Sequence, residues 1–396
     1  DPLPPVQREA LGLMPMREAV EALHAPLPRE PRAALEDRTH PAWRTVIFDE
    51  LLAQQLSLRE SRLRRSALRA DPLTIGTRAT ALLDKLPFKL TGAQQRVWRE
   101  IAADLGRAEP MNRLLQGDVG SGKTVIAALA ALQAVGSGYQ VALMAPTEIL
   151  AEQHHRKLIQ WIDPSMARVA WLAGSMKEPD KRAVRLAVAE GQVDLLIGTH
   201  ALIQDSVVFP TLGLAIVDEQ HRFGVAQRLA LRGALQNSDR SAHQLMMSAT
   251  PIPRTLAMSY YADLDVSVID ELPPGRKPVV TKLINASRRD QVVDAIRAAL
   301  AEGRQIYWVC PLIEESEALD LQNAIDAHAQ LAAELPDWPV GLVHGRLAPA
   351  EKAATMSAFA EGALRVLVAT TVIEVGVDVP NASLMIIEHA ERFGLA

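Results

Sequence analysis

Cysteine is almost missing from these 396 residues. Cys310 is the only one, so no internal disulfide can form and a reducing compartment is expected. No apolar run is long enough to span a bilayer, and the first residues carry no signal-peptide pattern. No membrane partner is therefore expected. Charge of one sign is not in excess either. A formal net charge of -5 gives no global pull toward nucleic acid. It does not exclude nucleic acid, because a motor can confine its basic groups to one cleft. Short solenoid periods and low-complexity tracts are absent as well.

What is present is the usage of ordinary packed proteins, with 48% hydrophobic and 22% charged residues. The length exceeds one ordinary core, so two or three domains are expected. Residues 1–40 are rich in proline and read as short helical pieces and linker. From Pro41 to about Ala70 the apolar spacing is helical, with Ile47, Leu51, Leu52, Leu56 and Leu63 on it. Its later half carries Arg59, Arg62, Arg64, Arg65 and Arg69. A solvated helix face is the preferred reading, and contact with a nucleic-acid backbone is the alternative.

From about Leu86 to Ile269 apolar strands alternate with helices. Strands are expected at 113–116, 140–145, 168–172, 193–197, 214–217 and 244–247. That rhythm is a βαβ array, hence a parallel sheet covered on both faces. Residues 272–278 (LPPGRKP) form a turn-rich break. A second array follows, with strands at 305–309, 340–343, 364–368 and 384–387 and helices near 288–301, 314–335 and 349–359. Cys310 ends a strand-like run there and reads as a buried structural thiol. The expected fold class is α/β with two parallel-sheet lobes. A helical, proline-rich linker covers residues 1–75, a first, ATP-binding lobe 76–272 and a second lobe 273–396.

The chemistry centres on residues 117–124, G-D-V-G-S-G-K-T. A short apolar run precedes them and a uniformly apolar helix follows, as a phosphate cradle requires. Gly117, Gly120 and Gly122 let the backbone curl, so that N–H groups of Asp118, Val119 and Ser121 converge on an anion. Lys123 would reach the β- and γ-phosphates of ATP, and Thr124 would hold Mg²⁺. A second signal is Asp218-Glu219-Gln220-His221 at the tip of an apolar strand. Asp218 suits the metal, and Glu219 suits the orientation and deprotonation of water. Ser248 and Thr250 end another strand, where they could sense the acidic pair or cap a helix before Pro251. Gln94 could pair with adenine through both sides of its amide, although glutamines in first helical turns are common. Pro146, Thr147, Thr199, His200, His344 and Thr370 also follow strands. Each alone reads as a cap or turn; as a set on one sheet edge they could track nucleic-acid phosphates.

These residues resemble the second large superfamily of helicases and translocases, in the order Gln94, GDVGSGKT, APTEIL, GTHALI, DEQH, SAT and ATTVIEVGVD. Within it the match resembles the RecG family of branched-DNA helicases, through 217–225 (VDEQHRFGV), 248–258 (SATPIPRTLAM), 263–276 (DLDVSVIDELPPGR) and 307–317 (YWVCPLIEESE). His40-Pro41-Ala42 and Phe48 to Leu52 are similar to the segment between that family's DNA wedge and its motor. The transcription-repair coupling translocases share HRFG and ATPIPRT; the glutamine of DEQH and the YWVCPLIEESE stretch favour RecG.

The resemblance implies an ATP-driven, Mg²⁺-dependent motor on double-stranded and branched DNA, remodelling stalled forks and Holliday junctions in recombination and repair. It implies a monomer at the nucleoid of the bacterial cytoplasm, with a contact to single-stranded-DNA-binding protein. Lys123, Asp218 and Glu219 would be catalytic and Gln94 would read adenine. Gln220, His221, Ser248 and Thr250 would couple nucleotide state to DNA. Thr370 would touch the DNA backbone, while Gly376 and Asp378 would approach the nucleotide from the second lobe. The family's wedge domain is expected to precede Asp1 and its arginine-rich motif to follow Ala396. The chain then reads as the motor portion, with an incomplete second lobe and little activity by itself. A non-catalytic nucleotide-binding module and a small-molecule P-loop kinase are the competing readings. The second lobe and the 370–378 stretch disfavour the kinase.

Overall fold

A computed structural model describes residues 3–26, 32–66, 68–199, 202, 207–219, 236–237, 240–249, 264–271, 279–310, 317–370, 379 and 381–392. Short helices α1 (Pro5–Ala10), α2 (Met16–His24) and α3 (Arg32–Glu36) precede a long one, α4 (Pro41–Ser66). The prolines punctuate them as expected: Pro5 opens α1 and Pro15 precedes α2. Helix α2 packs on α4, and the indole N–H of Trp43 donates to the Leu35 carbonyl at 2.9 Å. Arg59 on α4, and Arg69 beyond it, are exposed, in line with a solvated face.

The first lobe runs α5 (Thr77–Lys85), α6 (Gly92–Leu105), β1 (Asn112–Gly117), α7 (Lys123–Gly136), β2 (Gln140–Met144), α8 (Glu148–Trp161), β3 (Val169–Leu172), α9 (Glu178–Ala189), β4 (Leu195–Gly198) and β5 (Leu212–Asp218). A small antiparallel pair, β6 (Gln236–Asn237) and β7 (Arg240–Ser241), then leads to β8 (His243–Ser248) and β9 (Asp265–Ile269). The seven long strands order as β3-β4-β2-β5-β8-β1-β9, every neighbour parallel. Because β8 stands between β1 and β5, the strand tips ending in Gly117, Ser248 and Asp218 lie side by side. In such a sheet ligands collect at these carboxyl ends.

Packing explains why the phosphate loop is held so firmly. Residues 125–135 of α7 are all buried, as befits a helix apolar on every side. Burying one leucine there, such as Leu129, contributes about 1.5–3 kcal/mol. The polar exception, Gln133, is fully buried and donates from Nε2 to the carbonyls of Leu73 at 2.6 Å and Ala102 at 3.1 Å.

The second lobe comprises α10 (Arg289–Ala301), β10 (Gln305–Val309), α11 (Glu317–Glu334), β11 (Val340–Val343), α12 (Pro349–Ala360), β12 (Val366–Ala369) and β13 (Ala382–Ile387). Its sheet is parallel, in the order β11-β12-β10-β13. Trp308 and Phe359 fill its interior. Cys310 is buried beside Glu388, and burial with that neighbour pushes its thiol up to about 12, an inert structural group. The break expected at 272–278 lies outside the described residues.

Two features of the first lobe depart from the pattern read in the sequence. Strand β9, at the sheet edge beside β1, has only Ser267 and Ile269 buried and leaves Val266 and Val268 exposed, so its hydrophobic signal is weak. The segment between α4 and α5 is a docked strap rather than free linker. Ala70 N–H donates to the Ala108 carbonyl and Leu73 N–H to that of Leu105, both at 2.8 Å. The Arg69 carbonyl accepts from Ser241 N–H at 2.9 Å, and Arg240 pairs with Asp71. Leu73 is fully buried.

His243 fastens this strap to the sheet. Met111 N–H donates to its Nδ1 at 3.0 Å, so Nε2 carries the proton and donates to the Asp71 carbonyl at 3.0 Å. Burial pushes the imidazole below its ordinary value. The folded protein therefore keeps His243 neutral, and the unfolded chain binds its proton first. Stability is complete above the unfolded value of about 6.5 and falls as pH drops through it. His155, lowered by burial too, adds in the same direction. Denaturant unfolding between pH 8 and 5 should show a loss of up to about 1.4 kcal/mol per pH unit for the buried His243, with a smaller share from the largely solvent-screened His155. His243→Gln should flatten that slope, and an unchanged slope would place the titration elsewhere.

Candidate nucleotide-binding and hydrolysis site

Strand β1 ends at Gly117 and α7 begins at Lys123, so residues 118–122 form the loop expected of a phosphate cradle. Gly122 is its tightest point. Its φ of +96° lies in the left-handed region, and a Cβ there would stand 2.2 Å from Gln94 Nε2. Only glycine meets both demands. Ser121 N–H donates to the Asp118 carbonyl at 3.0 Å, which curls the loop on itself. Lys123 Nζ donates to the carbonyls of Gly117 at 2.6 Å and Asp118 at 3.1 Å, so the ammonium lies across the mouth of the loop. Val119 and Asp118 are exposed, Thr124 is half-buried, and Gly120 shares the positive φ at +78°.

Gln94 sits at the third position of α6 and is buried. Its Oε1 accepts from Thr91 N–H at 2.9 Å, and its backbone N–H donates to Thr91 Oγ1 at 3.2 Å, a reciprocal capping box. Its Nε2 donates to the Ser121 carbonyl at 2.7 Å. The amide thus clamps the phosphate loop through protein contacts on both its sides.

The acidic pair stands at the tip of β5. Asp218 is buried, with Oδ2 2.7 Å from His154 Nε2 and Oδ1 accepting from Glu219 N–H at 3.1 Å. An ionised carboxylate only accepts, so the His154 ring donates and fixes the orientation of Asp218. Glu219 adopts a φ of +48°, unusual for a residue with a side chain. That turn lets its carboxylate accept from Ala249 N–H, at 3.2 Å to Oε1 and 3.4 Å to Oε2. Ser248, buried, precedes that amide at the end of β8. The acidic pair and the serine strand are therefore joined directly.

Sequence reasoning missed His154. Its signal was a polar side chain on the inward face of α8, in register with Leu150, Ala151 and Leu158, all buried.

The described residues expected to touch DNA fall into two sets, one on each lobe. Pro146 and Thr147 follow β2, Thr199 follows β4, and Ala145 N–H donates to the Gly198 carbonyl between them at 2.9 Å. Thr147 Oγ1 accepts from Leu150 N–H at 3.4 Å and caps α8. In the second lobe His344 follows β11 and Thr370 follows β12, joined by Thr370 N–H donating to the Val343 carbonyl at 3.2 Å. Thr370 Oγ1 and His344 Nδ1 are buried atoms with no hydrogen-bond partner among the described residues. His200, Gln220, His221, Thr250, Gly376 and Asp378 lie outside the described residues.

A phosphate loop, a paired-carboxylate strand tip and a second parallel sheet give the chain two RecA-like lobes, the fold class of helicase cores. The first lobe matches the model of the DEAD/DEAH box helicase family over residues 91–259, and the second that of the helicase conserved C-terminal domain over residues 288–393. An ATP-dependent DNA helicase RecG of Escherichia coli (strain K12) is 55% identical over 387 residues, covering 97% of this chain and 56% of that protein. Its counterpart from Synechocystis sp. is 47% identical over 100% of this chain and 47% of that protein. A solved structure of RecG bound to a three-way DNA junction covers 100% of this chain and 51% of its own, with 41% identity and a TM-score of 0.81. The chain belongs to the RecG family. It spans about half the length of these relatives.

Proposed function

We propose that this chain is the motor of an ATP-dependent DNA helicase that acts on branched DNA in recombination and repair. The observation that carries the reading is the single sheet edge at which the phosphate loop, Asp218, Glu219 and Ser248 meet. The likeness to RecG on a three-way junction supplies the substrate class.

The residues present suit ATP with Mg²⁺. The loop and the start of α7 offer convergent backbone N–H groups and a positive helix end to phosphate. Lys123 supplies a cation at the mouth of the loop, able to exchange its carbonyl partners for phosphate oxygens. Thr124 and Asp218 would hold Mg²⁺, which neutralises phosphate charge when bound. Glu219 orients water and takes its proton. Because Glu219 also holds the amide of Ala249, a change in its charge is felt at the end of β8, next to Ser248. Gln94 fixes the loop and serves adenine through the acceptor and donor capacity its present bonds leave. Gly376 and Asp378 would complete the site from the second lobe, and Gln220, His221 and Thr250 would extend the link from Glu219.

Thr370 and His344, with buried polar atoms lacking partners among the described residues, suit backbone contacts to DNA, as do Pro146, Thr147, Thr199 and His200 on the first lobe. No described helix is long and apolar enough to cross a membrane. Family resemblance further suggests a monomer of the bacterial cytoplasm and nucleoid that meets single-stranded-DNA-binding protein.

The test is ATP turnover with no DNA, linear duplex and a three-way junction. Turnover raised most by the junction is expected. Binding to DNA should weaken as salt rises, because phosphate contacts release counterions. Turnover indifferent to every DNA would overturn the reading.

A further inference from the structure

The two bonds of the capping box leave the N–H of Ala93, in the first turn of α6, without a partner inside the helix. It is met from far along the chain. Glu271 Oε2 accepts from Ala93 N–H at 2.9 Å. Gly92 makes the seat: a Cβ there would stand 3.4 and 3.5 Å from the two carboxylate oxygens. Arg96, one turn on, donates to the Val268 carbonyl at 3.1 Å and to Asp270 Oδ1 at 2.7 Å, so β9 and its exit are strapped to the same helix. A carboxylate at the positive end of a helix is favourable in itself. Neither the phosphate loop nor the acidic pair requires it.

Taking the nucleotide site as read above, we propose that Glu271 is a positioning residue for it. Glu271 holds the first turn of α6, that turn carries Gln94, and Gln94 Nε2 holds the Ser121 carbonyl inside the phosphate loop. Two hydrogen bonds, joined by the Ala93–Gln94 step of the helix, thus link Glu271 to the loop. Residues 272–278, which follow directly, connect the two sheets in sequence. One end of that connection is therefore seated on the support of the nucleotide loop.

Glu271 is exposed although Ala93 is buried, so removing the side chain opens the Ala93 N–H toward water from the solvent side and leaves no cavity in the core. The effect should fall on the loop and spare global stability. The experiment measures binding of a fluorescent N-methylanthraniloyl ATP, with nucleotide-free melting temperature, for the unmodified chain, Glu271→Ala and Glu271→Gln. Glu271→Ala should weaken binding about five- to tenfold with an unchanged nucleotide-free melting temperature. Glu271→Gln, which keeps an acceptor but not the charge, should recover part of the loss. Equal affinity for Glu271→Ala and the unmodified chain would overturn the proposal. So would weaker binding accompanied by a matching fall in nucleotide-free melting temperature, which would make Glu271 a general stabiliser. No binding by the unmodified chain would instead overturn the nucleotide site itself.

Discussion

Lys123→Ala is expected to reduce ATP turnover by at least about 10²-fold, the scale seen when one preorganised charge-stabilising donor is removed. The ammonium lies over the loop on the carbonyls of Gly117 and Asp118, where it is both a brace and a cation. Phosphate would displace it from those carbonyls at little cost, since the charge moves from a neutral to an anionic acceptor. Alanine removes the charge and the brace together. Steady-state turnover at saturating junction DNA checks this, beside equilibrium nucleotide binding. Turnover near that of the unmodified protein would exclude Lys123 from the mechanism.

Glu219→Gln should separate binding from hydrolysis. The amide oxygen of glutamine can still accept from Ala249 N–H, so the turn at φ +48° and the junction with β8 should persist. Asp218, oriented by His154, would remain available for Mg²⁺. Only the capacity to take a proton is lost. Single-turnover hydrolysis should fall by about 10²–10⁴, the usual contribution of a general base, while nucleotide affinity stays within a few-fold. A loss of affinity as large as the loss of rate would assign Glu219 a structural role.

Much of this site was legible because local signals agree. The glycine spacing, the apolar run before Gly117 and the uniformly apolar α7 all say one thing. Asp218 and Glu219 likewise stand at the end of an unmistakable strand. The expected strands of both arrays fall within about two residues of those observed, because buried parallel strands are short continuous apolar runs bounded by turns. What escaped was carried by backbone groups or by distant partners. The strap is held chiefly through its N–H and carbonyl groups, which every sequence possesses. His154 shows only as one polar residue on an apolar face. Glu271 is a surface glutamate until Ala93, from the other end of the lobe, comes to meet it. Gln94 was read as a ligand contact, and the clamp it makes on Ser121 could be seen only once α6 and the loop were in place.

The placement of β1 bears on how the protein is made. Its two neighbours are β8 and β9, pairing Asn112 with Gln244 and Arg113 with Asp265. The strand that bears the phosphate loop thus has no sheet to join until residues 243–269 have left the ribosome. At about 5–20 residues per second that delay is on the order of ten seconds after β1 itself emerges. Throughout it α7 can already pack on α5, α6, β2 and β5, but the sheet beneath it stays divided between β5 and β1. A nascent chain stalled short of β8 would present the unpaired edges of β1 and β5 to chaperones and proteases. Chains released beyond Ile269 would be the first able to hold nucleotide.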